Sequence, residues 1–93
     1  MRQGAVKTEQ TINIERMEQA ISLFGSFDEN IRLVEDEFNV GIISRGSEIK
    51  ISGEAENVAK GVRAVNGMLT LINKGETLNE QNVRYVFSLV GEG

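Results

Sequence analysis

Leu23-Phe24-Gly25-Ser26-Phe27-Asp28-Glu29-Asn30-Ile31-Arg32-Leu33-Val34-Glu35-Asp36-Glu37-Phe38 is the stretch on which the fold turns. Its first residues close a helical pattern, in which Met17, Ala20, Ile21 and Phe24 fall at i, i+3, i+4 and i+7. Gly25 stops that helix, as glycine does just past a helix end. Gly25-Ser26-Phe27-Asp28 reads as a tight turn, and a second helix starts near Glu29 with Ile31, Val34 and Phe38 as its buried stripe. Ser26 to Glu29 fits a capping box, in which the hydroxyl accepts a free backbone N–H and Glu29 reaches back. Asp28 and Glu29 also put negative charge at the positive end of the helix.

Outward from this corner, Asn39 is a left-handed terminator. Val40–Ser44 and Glu48–Ser52 form a hairpin, with Ile49 and Ile51 alternating against Glu48, Lys50 and Ser52. Gly46-Ser47 suits its two-residue turn, and Gly53 ends the second strand. Val58, Val62, Val65, Leu69 and Ile72 mark a helix over Ala55–Lys74, ended by Gly75. Leu78–Val90 is a last helix, with Val83, Val86, Phe87 and Val90 inward. Upstream, Thr11–Glu15 is a short strand with Ile12 and Ile14 on one face. Residues 1–10 read as a flexible polar arm, and 11–91 as a single domain.

The fold class is therefore α+β: a three-stranded antiparallel sheet in the order β-α-α-β-β-α, with helices on one face and an extra C-terminal helix. Each large apolar side chain fully buried contributes roughly 1.5–3 kcal/mol before ordering entropy is subtracted. An aspartate at Val65 or Ile51 should therefore unfold the chain.

The 93 residues contain neither cysteine nor histidine. Disulfides, thiolate zinc sites, thiol nucleophiles and triads with a histidine base are excluded. The net charge is −4, the reverse of the basic balance usual in nucleic-acid binders. No apolar run approaches the ~20 residues of a membrane span, and no secretory h-region opens the chain. A cytoplasmic setting is expected.

The candidate surface is Gly25, Ser26 and Phe27 at the turn, with Arg32, Arg45 and Lys50 as a small basic cluster. Backbone N–H groups at such a turn can meet phosphates. The plainer account is a helix corner with a good cap and a hairpin with ordinary surface charges. Glu35, Asp36 and Glu37 fan around a helix and do not converge on a cation. Phe24, Phe38 and Phe87 lie on inward stripes, whereas Phe27 is free to stack on a base or dock on a partner. Met68, Leu71 and Tyr85 lie off the main stripes and could form a patch where another domain or subunit packs.

The order helix, glycine-led turn, helix, hairpin, helix resembles a KH domain of type I, whose GxxG loop falls at Gly25–Asp28. Here Asp28 replaces the second glycine. In more detail the chain resembles the N-terminal KH-like domain of the PhoH family, the phosphate-starvation-inducible P-loop ATPases of bacteria. The matching residues are Leu23-Phe24-Gly25, Asp28-Glu29-Asn30-Ile31-Arg32, Glu35, Val40-Gly41-Ile42, Arg45-Gly46, Ile49-Lys50-Ile51-Ser52-Gly53, Val58-Ala59, Leu78 and Val83. The resemblance implies a non-catalytic domain that precedes an ATPase domain, which would hold ATP and Mg. No G-x-x-x-x-G-K-[ST] occurs here, so this chain itself is expected to carry no catalytic, cofactor or metal site. The implied partners are that ATPase domain, single-stranded RNA, and further copies of the full protein in a homo-oligomer. The alternatives are a KH-like assembly module that binds no nucleic acid and a free-standing KH-like RNA-binding protein.

Overall fold

The computed structural model describes residues 7–91. Its elements are β1 (Lys7–Asn13), α1 (Met17–Phe24), a 3-10 turn (Ser26–Asp28), α2 (Glu29–Phe38), β2 (Gly41–Arg45), β3 (Glu48–Glu54), α3 (Ala55–Asn73) and α4 (Glu80–Gly91). The sheet is antiparallel in the order β1-β3-β2, so β3 is central and both its neighbours are edge strands.

Register decides which side chains face the helices. Across the sheet, Gln10, Ile51 and Ile42 form one row, and Ile12, Ile49 and Ser44 the next but one. Ile42, Ile49 and Ile51 are buried under the helices. The alternate row of Thr11, Lys50 and Ile43 points to the open face, and Ile43 is exposed there. Gly46 adopts φ +61° in the two-residue turn, as the primed hairpin turns require.

Strand β1 corrects the expected boundary of the arm. Lys7–Gln10 are paired with Ile51–Glu54, so four of the ten arm residues belong to the sheet. Their polar sequence hides this because an edge strand is held by backbone hydrogen bonds and buries little side chain. Residues 1–6 lie outside the described residues. Ile14 is buried beyond the strand's end, where its N–H donates to the Ser47 carbonyl at 2.7 Å. The central strand β3 does not stop at Gly53 as expected but runs through it to Glu54.

Helix α1 buries a different face from the one its periodicity predicts. Met17 and Ile21 are 71% and 67% exposed. Gln19 and Leu23 are buried instead, with Ala20 and Phe24 half-buried. Five of its eight residues are apolar and cover most of its circumference, so two overlapping stripes fit. Packing against α3 selects the second stripe. The choice is pinned by Gln19, whose Nε2 donates to Asn73 Oδ1 at 2.6 Å and whose Oε1 accepts the Arg16 N–H at 3.3 Å.

Helix α3 is the spine of the helical layer and touches the sheet and all three other helices. Beside the expected Val58 and Val65, it buries Gly61, Ala64 and Met68. Met68 is thus a core residue and not part of a surface patch. Small residues let neighbours come close: a Cβ at Gly61 would lie 3.4 Å from Ile51 Cγ2. α4 buries Val83, Val86, Phe87 and Val90 as predicted. Phe87 meets Phe38 edge to face with centroids 5.1 Å apart.

Candidate nucleic-acid interface

The α1–α2 corner is built on backbone strain. Gly25 has φ +76°, and Phe27 and Asp28 follow at φ +54° and +59°. Consecutive left-handed residues other than glycine are unusual and raise local energy. Asn30 lies directly under the corner. Its Nδ2 donates to the Ser22 carbonyl at 3.3 Å, and a Cβ at Gly25 would stand only 2.7 Å from that nitrogen. Glycine is therefore required at position 25 on two grounds, conformation and space.

The predicted capping box does not form. The residue preceding α2 is Asp28 in the left-handed region, and no side chain caps the helix. A capping hydroxyl works from extended backbone at the N-cap position. The left-handed pair places Ser26 two residues too early. The corner is closed by backbone bonds, among them the Asp28 N–H to the Gly25 carbonyl at 3.2 Å.

The exposed stripe of α1 looks across a small cavity at the hairpin turn. Met17 and Ala20 form one wall of this cavity of about 210 Å³, and Gly46 and Ser47 form the other. Phe27, 89% exposed, stands at the tip of the corner as predicted. Ile14, Glu15 and Arg16 complete the cavity's lining, so this groove lies between the β1–α1 junction, the start of α1 and the β2–β3 turn, with the corner at the far end of α1. Glu35 ties α2 to β2: its Oε2 accepts the Ile42 N–H at 2.9 Å. This fills a donor on the outer edge of β2 and draws α2 against the strand. Glu35 is therefore a structural link, while Asp36 and Glu37 remain exposed.

The three predicted cations do not share a surface. Arg32 is exposed on α2. Arg45 and Lys50 alternate onto the open face of the sheet, with Arg45 opposite Glu48. Gly25, Ser26 and Phe27 do lie together, with the carboxylates of Asp28 and Glu29 immediately after them. Among the described residues no group of three or more acidic side chains could hold a metal ion. No described helix is long and apolar enough to cross a membrane. Sequence reasoning missed Gln19, Asn30 and Glu35, because polar residues on a core-facing side carry no periodic signal.

No protein-family model matches the chain. It is 36% identical over 72 residues to the PhoH-like protein of Bacillus subtilis, which covers 77% of this chain and 23% of that protein. It is 35% identical over 74 residues to the PhoH-like protein of Mycobacterium leprae, covering 78% and 21%. The chain thus spans less than a quarter of the length of these relatives. Among solved structures, the first KH type I domain of human vigilin superposes with a TM-score of 0.63 at 19% identity, covering 86% of this chain and 89% of that one. Dim2p from Pyrococcus horikoshii superposes with a TM-score of 0.70 at 12% identity, covering 88% and 48%. Strand order, helix–corner–helix geometry and these likenesses agree: the chain is a KH-like domain of the PhoH-like proteins.

Proposed function

We propose that this domain is a non-catalytic accessory part of a longer PhoH-like, ATP-binding protein, and that its groove engages single-stranded RNA for that protein. ATP and Mg would be held outside this chain. The observation that carries the reading is the exposed apolar stripe of Met17 and Ile21 beside an uncapped α2 and an outward Phe27. KH domains clamp four nucleotides at this corner. An aromatic ring at its tip offers a face for a base, and free N–H groups at a helix start attract anions. With Asp28 and Glu29 present, base contact outweighs phosphate contact.

A second reading is favoured by those same two carboxylates and by the net charge of −4: the groove docks protein, and the domain positions or assembles the ATPase. Fluorescence anisotropy with mixed-sequence single-stranded RNA separates the two. The RNA reading expects binding at low salt that weakens on Met17→Glu with Ile21→Glu, two exposed positions of the stripe. No binding even at low salt would leave docking as the working account.

A further inference from the structure

A second groove lies away from the KH-like corner, along the seam of α3 and α4. It encloses about 430 Å³. Arg63, Thr70 and Lys74 line its α3 side at i, i+7 and i+11, and Tyr85 and Leu89 line its α4 side at i and i+4. Leu71 forms part of the floor. Tyr85 is 59% exposed and Leu89 48%, so two large apolar side chains one helical turn apart stand open to solvent. The valley is narrow because Gly67 has no side chain: a Cβ there would fall 2.8 Å from Val86 Cγ1.

Its charge is opposite to that of the chain. The protein has 14 acidic residues against 10 basic, yet the groove is lined by two cations and no carboxylate. Among the described residues neither Arg63 nor Lys74 is in an ion pair. From Arg63 to Lys74 the rim runs about 16 Å, three turns of helix. Two cations that far apart, with apolar side chains between them, do not match a phosphodiester backbone, which presents a charge at every nucleotide. They match a helix whose apolar stripe fills the valley and whose flank toward α3 carries carboxylates.

We infer that the α3–α4 groove is a docking site for an acidic amphipathic helix of a protein partner. Leu71, Tyr85 and Leu89 take its apolar stripe, and Arg63 and Lys74 take its flanking carboxylates. This surface is separate from the RNA groove, so the inference stands or falls independently of that reading.

The test uses the 93-residue chain, isotopically labelled, and a synthetic 18-residue helical peptide with Leu at i, i+3, i+4 and i+7 and Glu along one flank. Amide shifts at Leu71, Tyr85 and Leu89 are expected on titration. Affinity should fall about tenfold for Arg63→Glu with Lys74→Glu, the order expected for two rim charges. Both positions are exposed, so the fold should survive, and a Lys-flanked peptide should bind this double variant better than the wild type. Should the double variant not fold, the wild-type complex must still weaken as salt rises. The inference is overturned by no shifts at millimolar peptide, by shifts confined to Met17 and Ile21, or by a single-stranded RNA moving the groove residues instead. Concentration-dependent shifts at the groove without peptide would assign it to a second copy and equally overturn it.

Discussion

Gly25 and Phe27 sit two positions apart in one turn and are held for opposite reasons. Gly25 combines φ +76° with an Asn30 nitrogen where a Cβ would go. Gly25→Ala should lower stability by about 1–3 kcal/mol in urea denaturation, and a change within experimental error would show that Asn30 swings aside freely. Phe27 has φ +54° but buries almost nothing. Phe27→Gly removes the left-handed penalty and leaves stability unchanged or raises it by up to about 1 kcal/mol. A residue so placed has no structural reason to be aromatic, which points to contact with a ligand. In the RNA titration Phe27→Gly should weaken binding about tenfold, or ~1.4 kcal/mol, within the ~1–3 kcal/mol of one stacked base. Equal affinities would remove the stacking role.

Helix α1 shows how a two-turn element can be read correctly as helix and wrongly as to its face. Leu23→Ala should cost about 2–5 kcal/mol, whereas Met17→Ala should stay within about 0.5 kcal/mol. The opposite ranking in thermal or urea melts would restore the stripe that periodicity suggests. At the α3–α4 seam, Gly67 touches Val86 so closely that Gly67→Ala should lose about 1–3 kcal/mol despite alanine's better helix propensity. Val86→Ala makes room for the added methyl. The double variant should therefore be more stable than the sum of the two single losses by about 0.5–3 kcal/mol, and strict additivity would mean that the helices part without strain.

At the scale of the molecule, charge and surface chemistry point in different directions. A net charge of −4, carboxylates after the turn and cations split between α2 and the open sheet face leave few positions to neutralise phosphate. RNA binding through an apolar groove then has a shallow salt dependence. Between about 50 and 200 mM salt, the slope of log affinity against log salt should be about −0.7 to −1.4, as for one or two phosphate contacts on a single strand. A slope near −5 would mean that phosphates dominate, contrary to a reading based on Met17, Ile21 and Phe27. The two grooves lie on different elements, one between the start of α1 and the β2–β3 turn and the other on α3 and α4. RNA and a protein helix could therefore be held at once.

The order of elements, the hairpin with its Gly46 turn, the Asn39 terminator, the inward faces of α2 and α4 and the exposure of Phe27 were legible in the residues, because local rules of period, turn and cap dictate them. So was the KH-like kinship, carried by an ordered set of short matches. The tertiary structure alone decided the rest. It turned Met17 and Ile21 outward, because a short, mostly apolar helix takes its buried face from its neighbour. It placed Met68 in the core, because α3 is enclosed by the sheet and three helices. It drew Lys7–Gln10 into a polar edge strand, because β3 offers backbone partners whatever the side chains. It left the Ser26 cap unused, because the left-handed pair at Phe27 and Asp28 moves the hydroxyl off the N-cap. And it parted Arg32 from Arg45 and Lys50, because strand parity sends the last two to the face away from the helices, a relation that spacing along one chain does not encode.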